Sequence, residues 1–121
     1  MSTDPRHRLG QLGEQVAAEH LERLGYEIVA RNHRTRFGEI DLVAADADSI
    51  VIVEVKTRRG RGSPWDALHE RKRRQVRAMG LAYLSTVADR PRRTHLRFDA
   101  IAVGVDGAGR VAALDHLEGA F

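Results

Sequence analysis

The sequence predicts one α/β domain, built in the order helix, three strands, helix, and one or two strands. Three observations carry this. Residues 8–24 place apolar side chains at helical spacing. Residues 38–58 hold two Val- and Ile-rich runs around a turn-like pentapeptide, Ala45-Asp46-Ala47-Asp48-Ser49. A second helical stripe follows within residues 65–88. With 121 residues, no linker and no internal repeat, the chain reads as a single domain over 1–121.

The first helix is predicted over Arg8 to Leu24. Leu9, Leu12, Val16, Leu21 and Leu24 share one broad face, and Gly25 is a good terminator. Glu14 lies near the edge of that face, so it either runs along the core boundary or is an ordinary first-turn acid. Tyr26 to Arg31 reads as a strand, and Asn32 to Phe37 as a polar connection. The hairpin follows, Gly38–Ala44 and Ile50–Arg58. A loop of Asp46 to Ser49 sets Ala45 opposite Ile50, Asp41 opposite Glu54 and Glu39 opposite Lys56. In this register Ile40, Leu42, Ala44, Val51, Val53 and Val55 share one face. Asp41, Val43, Ala45, Ile50, Ile52, Glu54 and Lys56 share the other, and a one-residue slip mixes the two sets.

Arg58 to Gly62 reads as a glycine-arginine loop. Ser63-Pro64-Trp65-Asp66 has the look of a helix start, with Ser at the cap and Pro at the first position. The helix is predicted from Trp65 to about Ala88, with a break near Arg71 allowed. Its later stripe is Val76, Met79, Gly80, Tyr83 and Val87, and Pro91 ends it. Leu96 to Val105 alternates as a strand. Asp106-Gly107 is a turn signal, and Arg110 to Leu114 is expected to return as a short edge strand.

Composition bounds the function. No apolar run approaches the ~20 residues of a spanning helix, and the N-terminus lacks a signal-peptide core. The absence of cysteine excludes disulfides and thiolate metal sites, so a cytoplasmic protein with no membrane partner is the expectation. The formal charge is only +3, but the basic residues cluster: Arg31, Arg34 and Arg36; Arg58, Arg59 and Arg61; Arg71, Lys72, Arg73, Arg74 and Arg77; Arg90, Arg92, Arg93 and Arg97. Basic groups around an acidic pocket suit a phosphate backbone. Arg58, Arg59, Arg61, Arg71, Lys72, Arg73 and Arg74 are therefore candidate nucleic-acid contacts. A solvated, arginine-rich surface is the plainer alternative. Of twenty basic residues only Lys56 and Lys72 are lysine, which draws notice to a compact ammonium beside the acids. Aromatic content of 5% speaks against a base-stacking platform.

Two opposed carboxylates at the end of a buried hairpin repel each other and resist desolvation. A divalent cation is the simplest offset. Hard cations such as Mg²⁺ or Mn²⁺ take carboxylate and carbonyl oxygens, which Asp41, Glu54 and the Val55 carbonyl can supply, with Glu14 to complete the shell. Lys56, on the face of Glu54, is placed to orient a water or stabilise charge on a phosphate. The competing account is a structural ion-pair network among Glu39, Asp41, Glu54 and Lys56. The six histidines show no zinc-ligand spacing, and no Gly-Lys-Ser/Thr phosphate loop is present.

Asp41 followed by Glu54-Val55-Lys56 resembles the PD-(D/E)xK signature of restriction-endonuclease-like nucleases, with Ile40 where that name has proline. The wider pattern is similar to the YraN family of endonuclease-like bacterial proteins. Its carriers are Gly13-Glu14, Ala17-Ala18, Gly25-Tyr26, Arg31-Asn32, Gly38-Glu39-Ile40-Asp41-Leu42, Val53 to Arg58, and Tyr83-Leu84. The resemblance implies a restriction-endonuclease-like fold, a mixed β-sheet flanked by helices. It also implies a Mg²⁺- or Mn²⁺-dependent nuclease acting on DNA, including branched or processed DNA. In the similar archaeal Holliday-junction resolvases an acidic residue on the first helix joins the metal site, which points to Glu14. Related exonucleases carry Gln-x-x-x-Tyr on the following helix; here Gln75 is followed by Met79, with Tyr83 one turn later. Gln75 and Glu39 are thus auxiliary candidates beside Asp41, Glu54 and Lys56. A homodimer is compatible with this reading. The alternative is a non-catalytic nucleic-acid-binding or assembly protein that keeps the fold.

Overall fold

The structure is a computed structural model that describes residues 4–60 and 69–121. Its elements are α1 (Pro5–Arg23), β1 (Glu27–Thr35), β2 (Gly38–Ala45), β3 (Ser49–Arg59), α2 (Glu70–Thr86), β4 (His95–Val105) and β5 (Val111–Leu117). The expected order α-β-β-β-α-β-β is the one found. One mixed sheet runs β1-β2-β3-β4-β5, with β3 and β4 parallel and the other neighbours antiparallel. Parallel neighbours need a long crossover, and α2 lies within it.

The two helices cover opposite faces. On the α1 face Ala17, Ala18 and Leu21 pack on Leu42, Ala44, Val51, Val53, Ile101 and Val103. On the α2 face Val76, Met79 and Tyr83 pack on Ile40, Val43, Ile50 and Ile52. Burying each of the larger side chains stabilises the fold by roughly 1.5–3 kcal/mol. Strands buried on both sides account for the near-continuous apolar runs in β2, β3 and β4.

Several boundaries and faces differ from expectation. Helix α1 starts earlier, at Pro5, because the Asp4 carboxylate accepts the Arg6 N–H and Pro5 suits the first turn. Leu12 and Leu24 were expected on its apolar face but stand exposed. Leu21 is buried and Leu9 and Val16 pack beside it as expected, and the helix adds its small residues Gly13, Ala17 and Ala18 to the inward face. An ideal Cβ on Gly13 would fall 1.7 Å from Thr57 Oγ1, so α1 approaches β3 as closely as a glycine permits. Its C-terminus is closed by Gly25 at φ 98°, with Tyr26 N–H bonded to Leu21 O and Gly25 N–H to Glu22 O.

Strand β1 extends through the expected connection to Thr35. The expected helix start at Ser63 to Asp66 and the loop end at Arg61 and Gly62 lie outside the described residues. Within them α2 begins at Glu70, with the His69 side chain accepting the Lys72 N–H. The edge strand β5 runs to Leu117, beyond Leu114.

The arginines of the fourth cluster bond to the fold, although Arg92 and Arg93 stay exposed. Arg97 makes two bonds to Asp99 and a third to Tyr26 Oη. Asp99 is completely buried and also bonds His116 and the Gly119 N–H. Arg90, Arg92 and Arg93 donate to backbone carbonyls. Among the described residues no helix is long and apolar enough to cross a membrane.

Candidate functional site

The turn at Asp46 sets the β2–β3 register. Its carboxylate accepts the N–H groups of Asp48 and Ser49, and these bonds lower its pKa. Ala45↔Ile50, Ala44↔Val51, Val43↔Ile52 and Leu42↔Val53 then pair as the sequence predicts. The ladder stops there. Asp41 and Glu54 would be the next pair, but Asp41 Oδ2 accepts the Val55 N–H at 2.7 Å. A side chain has replaced a strand, and β2 parts from β3 at this point.

The parting has a second sign. Ile40 was expected on the face of Leu42, yet it packs on the α2 face while Leu42 packs on the α1 face. Alternation breaks across Asp41 because β2 no longer follows β3 there. On its other side β2 pairs His33↔Ile40 and Arg31↔Leu42, with Asn32 between them at φ 49°. Asparagine tolerates this left-handed conformation better than most residues. Asn32 Nδ2 lies 3.0 Å from both Glu14 Oε1 and Glu39 Oε1. One amide thus ties the helix acid to the strand acid. Asn32 was part of the family-like pattern but not among the predicted site residues; its place beside Arg31 in a stretch read as a connection gave no chemical signal.

Burial raises the pKa of Asp41 to about 7, with Glu54 and then Glu14 adding to the rise; the Val55 N–H and Lys72 oppose it. Glu54 is paired with Lys72, Nζ to Oε1 2.7 Å, and both groups are substantially buried. Lys56 shares Glu54's side of β3 by alternation. It is half-buried, and among the described residues no carboxylate pairs with it. The network expected among Glu39, Asp41, Glu54 and Lys56 is therefore replaced by separate contacts. Glu39 bonds Asn32, Asp41 bonds Val55, and Glu54 bonds Lys72. Glu39 faces Arg34 across β1–β2, not Lys56.

The donor set suits a hard cation. In an extended strand a residue's N–H and C=O point to the same side. The Val55 carbonyl therefore lies on the β2 side of β3, beyond the last β2–β3 pair. Two carboxylates and this carbonyl are oxygen donors of the type Mg²⁺ and Mn²⁺ take. Among the described residues no three acidic or histidine side chains converge on one point as placed. Glu14 stands off through Asn32, and Glu54 leans to Lys72.

Around the site, Arg71, Arg73 and Arg74 are exposed on the first turns of α2, Arg59 is exposed and Arg58 half-buried. Lys72 alone of the α2 group is turned inward, onto Glu54. Gln75 Nε2 donates to the Phe37 carbonyl at 3.0 Å, so it holds the β1–β2 turn instead of reaching the acids.

Comparison with known proteins places this chain in a family. The model of the uncharacterised protein family UPF0102 matches residues 13–103. A UPF0102 protein of Chloroflexus aurantiacus is 46% identical over 113 residues, covering 93% of this chain and 92% of that one. One from Pelotomaculum thermopropionicum is 42% identical over 120 residues, 98% of each chain. One from Symbiobacterium thermophilum is 47% identical over 113 residues, 90% of this chain and 94% of that one. The matched span runs from Gly13 through β4 and includes Glu14, Asn32, Asp41, Glu54 and Lys56.

Proposed function

The chain belongs to the uncharacterised protein family UPF0102, also known as YraN, and from that premise and the site's geometry we propose that it is a metal-dependent nuclease acting on DNA. One observation carries the reading. A half-buried Asp41, its pKa raised to about 7, stands where β2 parts from β3, near enough to the Glu54 carboxylate for that charge to add to the rise. Concentrating negative charge where water is scarce destabilises the metal-free fold, which is a signature of functional sites.

Asp41, Glu54 and the Val55 carbonyl would hold Mg²⁺ or Mn²⁺, with Glu14 as an auxiliary group tethered through Asn32. A bound ion supplies Lewis acidity and charge neutralisation for attack of water on a phosphodiester. Lys56 sits two residues from Glu54 on the same side of β3. Its ammonium there stabilises charge on the phosphate and orients the attacking water. Lys72 neutralises Glu54 in the absence of an ion and must release or share it. The exposed arginines of α2 and the end of β3 meet the phosphate backbone.

The experiment is cleavage of single-stranded, duplex, flap and four-way-junction DNA with Mn²⁺. Wild type should cleave at least one substrate, and Asp41→Asn none. Lys56→Ala should lose cleavage but keep its affinity for Mn²⁺. Equal cleavage by Lys56→Ala removes Lys56 from the mechanism. The Lys72–Glu54 pair favours a second reading, a nucleic-acid-binding protein that keeps the fold without catalysis. Salt-sensitive DNA binding with no cleavage of any of the four substrates, with or without Mn²⁺, selects that reading.

A further inference from the structure

We propose that the tip of the β1–β2 hairpin, Arg36-Phe37, is a base-stacking contact, so that the substrate is a nucleic acid carrying an unpaired base a few nucleotides from the cut. This deepens the reading above and rests on nucleic acid being the substrate.

Phe37 is, among the described residues, the one Phe, Tyr or Trp ring left exposed, at 41%. A lone exposed ring is ordinary, but Phe37 shares one groove with the exposed Leu81, and a contiguous apolar patch is a mark of a contact site. The Arg36 guanidinium lies 4.8 Å from its centroid, a cation–π arrangement that joins a stacking surface to a phosphate-seeking charge. The tip is also built to hold its shape. Thr35 Oγ1 accepts the Phe37 N–H and donates to Gly38 O, and Gln75 of α2 donates to Phe37 O. A preorganised contact loses less freedom on binding.

Beside the tip a groove of about 900 Å³ opens between the hairpin and α2, bounded by Arg34, Phe37, Leu81 and Ser85. Leu81, 61% exposed, lines it. An apolar Leu81, an aromatic Phe37 and two exposed arginines, Arg34 and Arg36, complement a flat base and its phosphates better than a basic or purely apolar partner. Strand β2 runs from the tip to the candidate site. Phe37 and Asp41 are four residues apart, about 13 Å at roughly 3.3 Å per residue. That is about four stacked nucleotides at 3.4 Å along a strand. A single exposed ring holds one base, which agrees with a chain too poor in aromatics for a platform.

The test is a flap duplex carrying one 2-aminopurine, placed in turn along the single-stranded arm and titrated with full-length protein in chelator. Wild type and Phe37→Tyr should quench its fluorescence at one or two positions. Phe37→Ala should not quench, and should lose about five- to a hundredfold in affinity for the flap while keeping its affinity for fully paired duplex. Equal quenching by Phe37→Ala overturns the proposal, as does an equal loss on flap and duplex. A change in sedimentation in place of flap binding marks the groove as a contact with a second copy, and also overturns it. Quenching by wild type without Mn²⁺-dependent cleavage of the same flap upholds the stacking contact and counts against the nuclease reading alone. Cleavage without quenching does the reverse.

Discussion

At Asp41 burial strips water from a carboxylate that already faces Glu54 and Glu14, and the native chain holds its proton to about pH 7. The unfolded chain releases it near 3.8. Between these values the native state binds more proton, so the stabilising contribution is complete below about pH 4 and is lost as pH rises through 7. His20 is shifted the other way, downward, chiefly by burial and then by His116 and Arg23. Its contribution is present above 6.5 and is lost as pH falls. The two slopes oppose each other in wild type, and a substitution separates them. Asp41→Asn keeps an acceptor for the Val55 N–H and removes the charge. Its metal-free thermal midpoint should exceed wild type at pH 8, by an amount corresponding to a few kcal/mol at most, and match it at pH 4. The excess should vanish with saturating Mn²⁺, which stabilises wild type alone by about 2.7 kcal/mol at roughly a hundredfold excess over Kd. A variant less stable than wild type at pH 8 in chelator would show the carboxylate to be structural.

On the scale of elements, the closeness of α1 to β3 decides whether Glu14 reaches the acids at all. Gly13 sets that distance against Thr57, since any Cβ would overlap the threonine hydroxyl. Gly13→Ala should therefore cost about 1–3 kcal/mol by overpacking. Thr57→Gly, which clears the overlapping atoms, should restore part of that loss in a double-mutant cycle, read by urea unfolding. Additive losses would mean that the helix shifts freely and that the contact does not govern its position.

Over the whole molecule, the charge asymmetry survives folding only in part. Arg90, Arg92, Arg93 and Arg97 are engaged with carbonyls and with Asp99. Lys72 is turned onto Glu54, whereas Arg71, Arg73 and Arg74 remain exposed on α2 beside the candidate site. Nucleic-acid affinity should accordingly fall steeply with salt. Replacing Arg71, Arg73 and Arg74 together with Gln should flatten the slope of log affinity against log salt by about one per lost phosphate contact. Replacing Arg90, Arg92 and Arg93 should leave that slope nearly unchanged. The opposite pattern would move the binding surface to the far side of α2.

What the sequence alone determined is what neighbours along the chain decide. The Asp46 turn and the period-two alternation set the β2–β3 register from Leu42 to Ala45. The strand runs, the order of elements and the grouping of Asp41, Glu54 and Lys56 on one hairpin follow from the same local rules. Only the tertiary structure decided the rest. The ladder ends at Leu42 because Asp41 takes the Val55 N–H, a contest between a side chain and a strand that alternation does not register. The inward face of α1 keeps Leu21 of the predicted stripe, with Leu9 and Val16 packed beside it, but is centred on Gly13, Ala17 and Ala18 because closeness to the sheet favoured small residues. Lys72 reaches Glu54, Gln75 reaches Phe37 and Asn32 joins Glu14 to Glu39 across separations that no sequence pattern records. Such contacts depend on how helices seat on a sheet, and that seating is fixed by packing over the whole core.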